Sequence, residues 1–136
     1  MFDSKVYNDG ALMVGKMSGV VEPQSFINGI FWQIDSRNVG KVKKGFSQLY
    51  YDDEVESVAV TEADIRRIAE INTGIGMNMG VFRTALVLSH PEILRLAKIH
   101  QALAKEHGYE VEIFTSLEHG FSWLGCDNPD PDNIKI

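Results

Sequence analysis

The sequence predicts an α/β domain built on a mixed, mostly parallel five-stranded sheet, opened by an N-terminal hairpin, in the order β-β-α-β-α-β-α-β-α. Three observations predict it. Asp9-Gly10 stands between two strand-like runs, and both positions of an Asp-Gly pair tolerate the positive φ of a tight hairpin turn. Beyond Pro23, runs with strand periodicity alternate with segments whose apolar residues recur at helical spacing. Finally, Phe82 to Ser89 (FRTALVLS) is almost continuously apolar, as befits a central strand covered on both faces.

Lys5-Val6-Tyr7 and Ala11 to Ser18 form the hairpin strands, and Gly19 is expected to end the second. Pro23 suits a first helical turn, where its missing N–H is no loss. Phe26, Ile27, Ile30, Phe31 and Ile34 put one apolar face on a helix reaching about Ser36. Gly45 to Tyr51 (GFSQLYY) reads as the third strand. Thr61 and Asp64 form a capping box that opens the second helix, with Ile65, Ile68 and Ala69 as its buried stripe. Pro91 starts a third helix that Gly108 stops after His107. Tyr109 to Phe114 is a short strand, and Thr115 with Glu118 is expected to cap a last helix carrying Leu117, Phe121 and Leu124.

A chain of 136 residues, 44% hydrophobic and 24% charged, suits one globular unit, taken as 1–125 with an extended acidic tail at 126–136. No apolar run is long enough to span a bilayer, so no integral membrane contact is expected. Asp3, Asn8 and Asp9 interrupt the first residues, which therefore do not read as a secretory or transit leader, and the cytoplasm is the expected compartment. A net charge of −6 argues against a nucleic-acid surface. Cys126 is the single cysteine, which excludes an internal disulfide or a thiolate metal cluster.

The stretch NTGIGMNMGVFR, from Asn72 to Arg83, resembles a phosphate loop only in its glycines. A phosphate cradle needs glycines after a strand and before a helix, and here the order is inverted. Gly74 reads instead as a helix stop, followed by a loop carrying Ile75, Met77 and Met79. Those side chains either close the core or line an adaptable apolar mouth for a ligand or partner.

His100 falls in the middle of the third helix's apolar face, between Leu96 and Leu103, so it is either a satisfied core residue or a polar group facing a cavity. No H-E-x-x-H or H-x-x-x-H pair exists to hold a metal, and no G-x-S-x-G elbow exposes a nucleophile. No catalytic residue, metal or cofactor is therefore assigned. Arg37, Lys41, Lys43 and Lys44 form a basic connection that offers an anion site or is merely solvated, beside the acidic group Asp52 to Glu56.

The element order, with RTALVLS from Arg83 to Ser89, a long helix, and VEIFTSLEHGFSWL from Val111 to Leu124, resembles the STAS-like fold. That fold includes the anti-sigma-factor antagonists and small bacterial proteins related to them and to the Sec14-type lipid-binding domain. The likeness spans about residues 5 to 125. In the phospho-switch members a serine in an Asp-Ser-Ser-Gly-like segment begins the helix after the third strand. This chain lacks that segment, and Ser57 and Thr61 are the positional substitutes.

The resemblance implies a non-enzymatic regulatory or binding module and a homo-oligomer. It would act on a protein partner or a hydrophobic small molecule through Ile75, Met77, Met79, Phe31, Trp32 and His100. The alternative is a Sec14-like carrier of a lipid or other hydrophobic ligand, with His100 facing the cavity and the basic connection meeting a headgroup. A small hydrolase or metal enzyme is a third reading, which needs His100 to gather carboxylates or a hydroxyl.

Overall fold

A computed structural model describes residues 2–32, 35, 41–75 and 83–136, with 76–79 described as backbone only. Strands β1 (Phe2–Tyr7) and β2 (Leu12–Val21) pair antiparallel from Phe2 opposite Met17 to Tyr7 opposite Leu12. Between them Asn8 and Asp9 (φ 54° each) and Gly10 (φ 91°) make one tight turn, using the residues that accept left-handed backbone most readily. Then follow α1 (Pro23–Trp32), β3 (Ser47–Val58), α2 (Glu62–Met79), β4 (Arg83–Val87), α3 (Pro91–Glu106), β5 (Glu110–Phe114) and α4 (Leu117–Leu124). The strands lie in chain order, β1-β2-β3-β4-β5, and every pair after the hairpin is parallel.

Sequential parallel strands joined by crossovers of one hand place all the crossover helices on one side. Accordingly α1, α2 and α3 share a core with Met17, Leu86 and Val111, while α4 takes the opposite face, with Phe121 against Leu12, Val14, Leu49, Tyr51, Ala85 and Val87. Gly120 permits that contact. A Cβ there would lie 2.8 Å from Val87 Cγ2 and 3.1 Å from Leu49 Cδ1, so α4 rests directly on the sheet. On the other face a Cβ at Gly15 would meet the Tyr50 ring at 2.5 Å, so the glycine lets that ring lie across β2.

Several expectations are corrected. β2 does not end at Gly19, which instead takes φ 65° where the β2–β3 register shifts, and the strand continues to Val21. β3 extends well past Tyr51, because Val20 and Val21 of β2 go on pairing with Ser57 and Val58 after β4 has left the ladder at Tyr51. α2 runs through Gly74 to Met79, so the segment with Ile75, Met77 and Met79 is helix and not loop. Ile68, Ile71 and Ile75 keep a helical stripe against the core, which offsets the roughly 1 kcal/mol that a mid-helix glycine costs.

Phe31 is 46% exposed, one helical step off the ridge of Phe26 and Ile30. The cap of α4 is Ser116, whose Oγ accepts from His119 N–H at 3.2 Å, and not Thr115. Ile34 and Phe82 lie outside the described residues. The Thr61–Asp64 box forms reciprocally, at 2.9 and 3.1 Å.

The terminal segment expected to extend away makes turns instead. Asp130 caps Asn133 and accepts from Tyr7 Oη at 3.3 Å, while Ile134 is 4% exposed beside the α4 core. Arg83 ties three elements: its guanidinium stacks 4.0 Å over the Trp123 ring, Nη1 donates to Trp123 O at 2.6 Å and Nε pairs with Glu110 at 3.1 Å. No helix among the described residues is long and apolar enough to cross a membrane.

Asp52 is the deepest carboxylate, 2% exposed. It accepts from Ser89 N–H at 3.0 Å, Ser89 Oγ–H at 3.1 Å and His90 N–H at 2.9 Å, so it satisfies the backbone where β4 turns into α3. Replacing Asp52 by alanine strands those donors and is expected to lower unfolding stability by about 3 kcal/mol, with Asp52→Asn losing about half as much because one acceptor remains. Urea denaturation checks this, and an alanine variant as stable as the wild type would refute the role.

Candidate functional site

A partly enclosed cavity of about 90 Å³ lies between the sheet and helices α1, α2 and α3. It arises from the side chains that alternate onto that face of the sheet: Met17 from β2, Gln48 and Tyr50 from β3, Thr84 and Leu86 from β4. The helices add Ile30, Ile65, Ile68, Ile93, Leu96 and Ala97, and Phe2 and Phe26 stack edge to face at 5.0 Å on its β1–α1 side. The lining side chains that carry polar atoms are Gln48, Tyr50, Thr84, Asn72 and His100.

Gln48 is 1% exposed. Its Oε1 accepts from Thr84 Oγ1–H at 3.3 Å, and its Nε2 has no hydrogen-bond partner among the described residues. An unmatched buried donor costs about 1–3 kcal/mol. His100 is partly buried, and among the described residues its ring meets no hydrogen-bonding group. Removal from bulk water holds its pKa below the ordinary 6.5, so the ring is biased toward its neutral form. With Asn72 and Thr84 it also lines a second, much smaller space of about 10 Å³ toward Tyr109 and Val111, on the order of one water.

Of the residues singled out from the sequence, His100 reaches the cavity, and the others are dispersed. Ile75 packs partly buried against the same core without lining the cavity. Trp32 packs beside Met13, Val42 and Phe46. Lys41, Lys43 and Lys44 are exposed, on a connection held by Lys43 N–H to Gly10 O at 2.8 Å and by buried Val42, and none of them lines the cavity. Ser57 is exposed on β3, and Thr61 is committed to capping α2, with Asp64 beside it. Arg37 and the side chains of Met77 and Met79 lie outside the described residues.

The sequence analysis missed Gln48, Thr84 and Asn72. The available signal was the pair of polar residues, Gln48 and Thr84, inside otherwise apolar strands.

Asp52, Ser89 and His90 sit together at the far ends of β3 and β4, yet they do not form an acyl-transfer triad. Ser89 Oγ–H points at the carboxylate and not at an imidazole, and His90 Nδ1 is occupied accepting Glu92 N–H at 3.3 Å as the cap of α3. Among the described residues no three histidine, cysteine or carboxylate side chains gather as a metal site would require.

Fold and site together define a STAS-like α/β domain with a largely apolar cavity under its crossover helices. No family model matches the chain, and no curated protein matches it. Solved structures do. An uncharacterized protein of the DUF3478 family with a SpoIIAA-like fold, from Shewanella loihica PV-4, superposes with a TM-score of 0.54 at 13% identity, covering 91% of this chain and 92% of its own. The anti-sigma factor antagonist SpoIIAA in its unphosphorylated form gives a TM-score of 0.54 at 10% identity, covering 92% and 98%. What is shared at such identities is the SpoIIAA-like fold.

Because the folded pKa of His100 lies below 6.5, the unfolded chain binds a proton first as pH falls, and stability drops with it through that region. Unfolding free energies measured between about pH 7.5 and about pH 5 should therefore decline more steeply in the wild type than in His100→Leu. Parallel curves would show that His100 is not shielded from solvent.

Proposed function

We propose that this chain is a non-enzymatic binding module that holds a small, largely apolar molecule between its sheet and helices α1 to α3. The observation that carries the reading is the cavity. At roughly 24 cal/mol per Å³, an unfilled apolar space of about 90 Å³ costs on the order of 2 kcal/mol, a cost that a guest would offset. Non-enzymatic use is supported by the hydrogen bonding of Asp52, Ser89 and His90, which serves the start of α3. Lys41, Lys43 and Lys44 do not line the cavity, so none of them meets a charged headgroup there, and a compact guest suits the space better than a long lipid.

A second reading is a regulatory module that contacts a protein, either another copy of itself or a different partner. It is supported by the likeness to an anti-sigma factor antagonist and by the large apolar side chains that are exposed among the described residues, Phe31, Val20 and Ile136. The two readings are compatible, with the cavity as input and the surface as output. Cytoplasmic residence fits both.

Xenon tests the cavity directly. Pressurised xenon should shift the backbone amide resonances of β3, β4 and α3 saturably, and Ala97→Leu, which projects extra carbon into the space, should abolish the shifts. The same variant should be more stable than the wild type by about 1 kcal/mol. Absence of xenon shifts in the wild type, together with a destabilised leucine variant, would mean the core is already full.

A further inference from the structure

Given that the cavity binds a guest, its polar lining narrows the guest's chemistry. Thr84 Oγ1 donates its hydrogen to Gln48 Oε1, and the Nε2 hydrogens meet no acceptor among the described residues, in a side chain that is otherwise sealed from solvent. A buried donor without an acceptor is uncommon and calls for a partner. Among the described residues no lysine, arginine, aspartate or glutamate lines the space, so an ionised guest would find no counter-charge from them. A water beside Gln48 would fill only part of the space, because most of the lining is aliphatic or aromatic.

We propose that the cavity is a site for small neutral carbonyl compounds, with Gln48 Nε2 donating to the carbonyl oxygen and the apolar walls enclosing the rest. This rests on the binding reading above. It adds a specificity-determining residue, Gln48, with Thr84 as the residue that orients it. The volume sets the size: a cavity of roughly 150 Å³ takes benzene, so about 90 Å³ takes a guest, or the end of one, of about four non-hydrogen atoms. His100 stands at the same wall as a neutral imidazole, a polar neighbour that adds no charge.

The test pairs two isosteres, acetone and 2-methylpropene, which differ in having C=O or C=CH₂ at the same place. Affinities for each are measured by NMR titration of wild-type protein and of Gln48→Met, a substitution of similar volume that removes the amide. Comparing ratios cancels the different cost of taking each probe out of water. The ketone-to-alkene affinity ratio should fall about tenfold in Gln48→Met, the loss of one buried hydrogen bond. In the wild type alone, the Gln48 side-chain amide resonances should move downfield with the ketone and not with the alkene. That measurement stands even if the variant folds poorly.

A ratio unchanged within about twofold, or amide resonances that respond equally to both probes, would overturn the assignment while leaving the cavity reading intact. Xenon binding without binding of either probe would overturn it as well. Loss of xenon binding would instead remove the reading beneath it.

Discussion

The Asp52 carboxylate is the interaction on which the rest of the arrangement depends. It sits at the end of the β3–β4 ladder and takes three hydrogen bonds from Ser89 and His90, the two residues that lead into α3. A strand-to-helix junction leaves N–H groups without strand or helix partners, and burying them unpaired would be costly. By accepting them, Asp52 fixes where α3 begins, and therefore where Ile93, Leu96, Ala97 and His100 hang over the sheet. Those four residues are one wall of the cavity. The acidic character of Asp52 thus serves placement of a helix and not proton transfer.

Much of the fold was legible in the residues, because the signals were local and mutually consistent. The Asp9-Gly10 turn, the Thr61–Asp64 box, Pro91 at the start of α3 and Gly108 after its end each depend on short-range backbone chemistry, and each forms as its chemistry requires. The misreadings occur where long-range packing decides. The charges of Asp52, Asp53 and Glu54 look like a loop, yet β3 pairs with β2 at Asp52 and again at Val55 and carries them within a strand, with Glu54 at φ 53° in the irregularity between. Two glycines after Thr73 look like a helix end, yet Ile75 has core to bury against. Ile134 among prolines and aspartates looks disengaged, and only the α4 face shows why it is not.

The candidate site was half legible for a similar reason. His100 declares itself because an imidazole in the middle of an apolar helical stripe must face either core or cavity. Gln48 gives no such signal. A polar residue in a short strand normally marks the solvent face, and only the crossover helices, all on one side, turn that face inward. The SpoIIAA-like architecture does not supply this knowledge either, since at 10% and 13% identity the shared scaffold says nothing of which side chains fill it. Function in such a scaffold has to be argued from its own cavity and donors.

The two faces of the sheet differ in density. On one, Gly120 brings α4 to van der Waals contact with Val87 and Leu49, and Ile134 closes the remaining gap. On the other, three helices arch over the cavity. Hydrostatic compression acts on internal voids, because unfolding or filling them shrinks the total volume. Under pressure the layer of α1 to α3, which encloses the cavity, is therefore expected to yield before the direct contact of Gly120 with the sheet does.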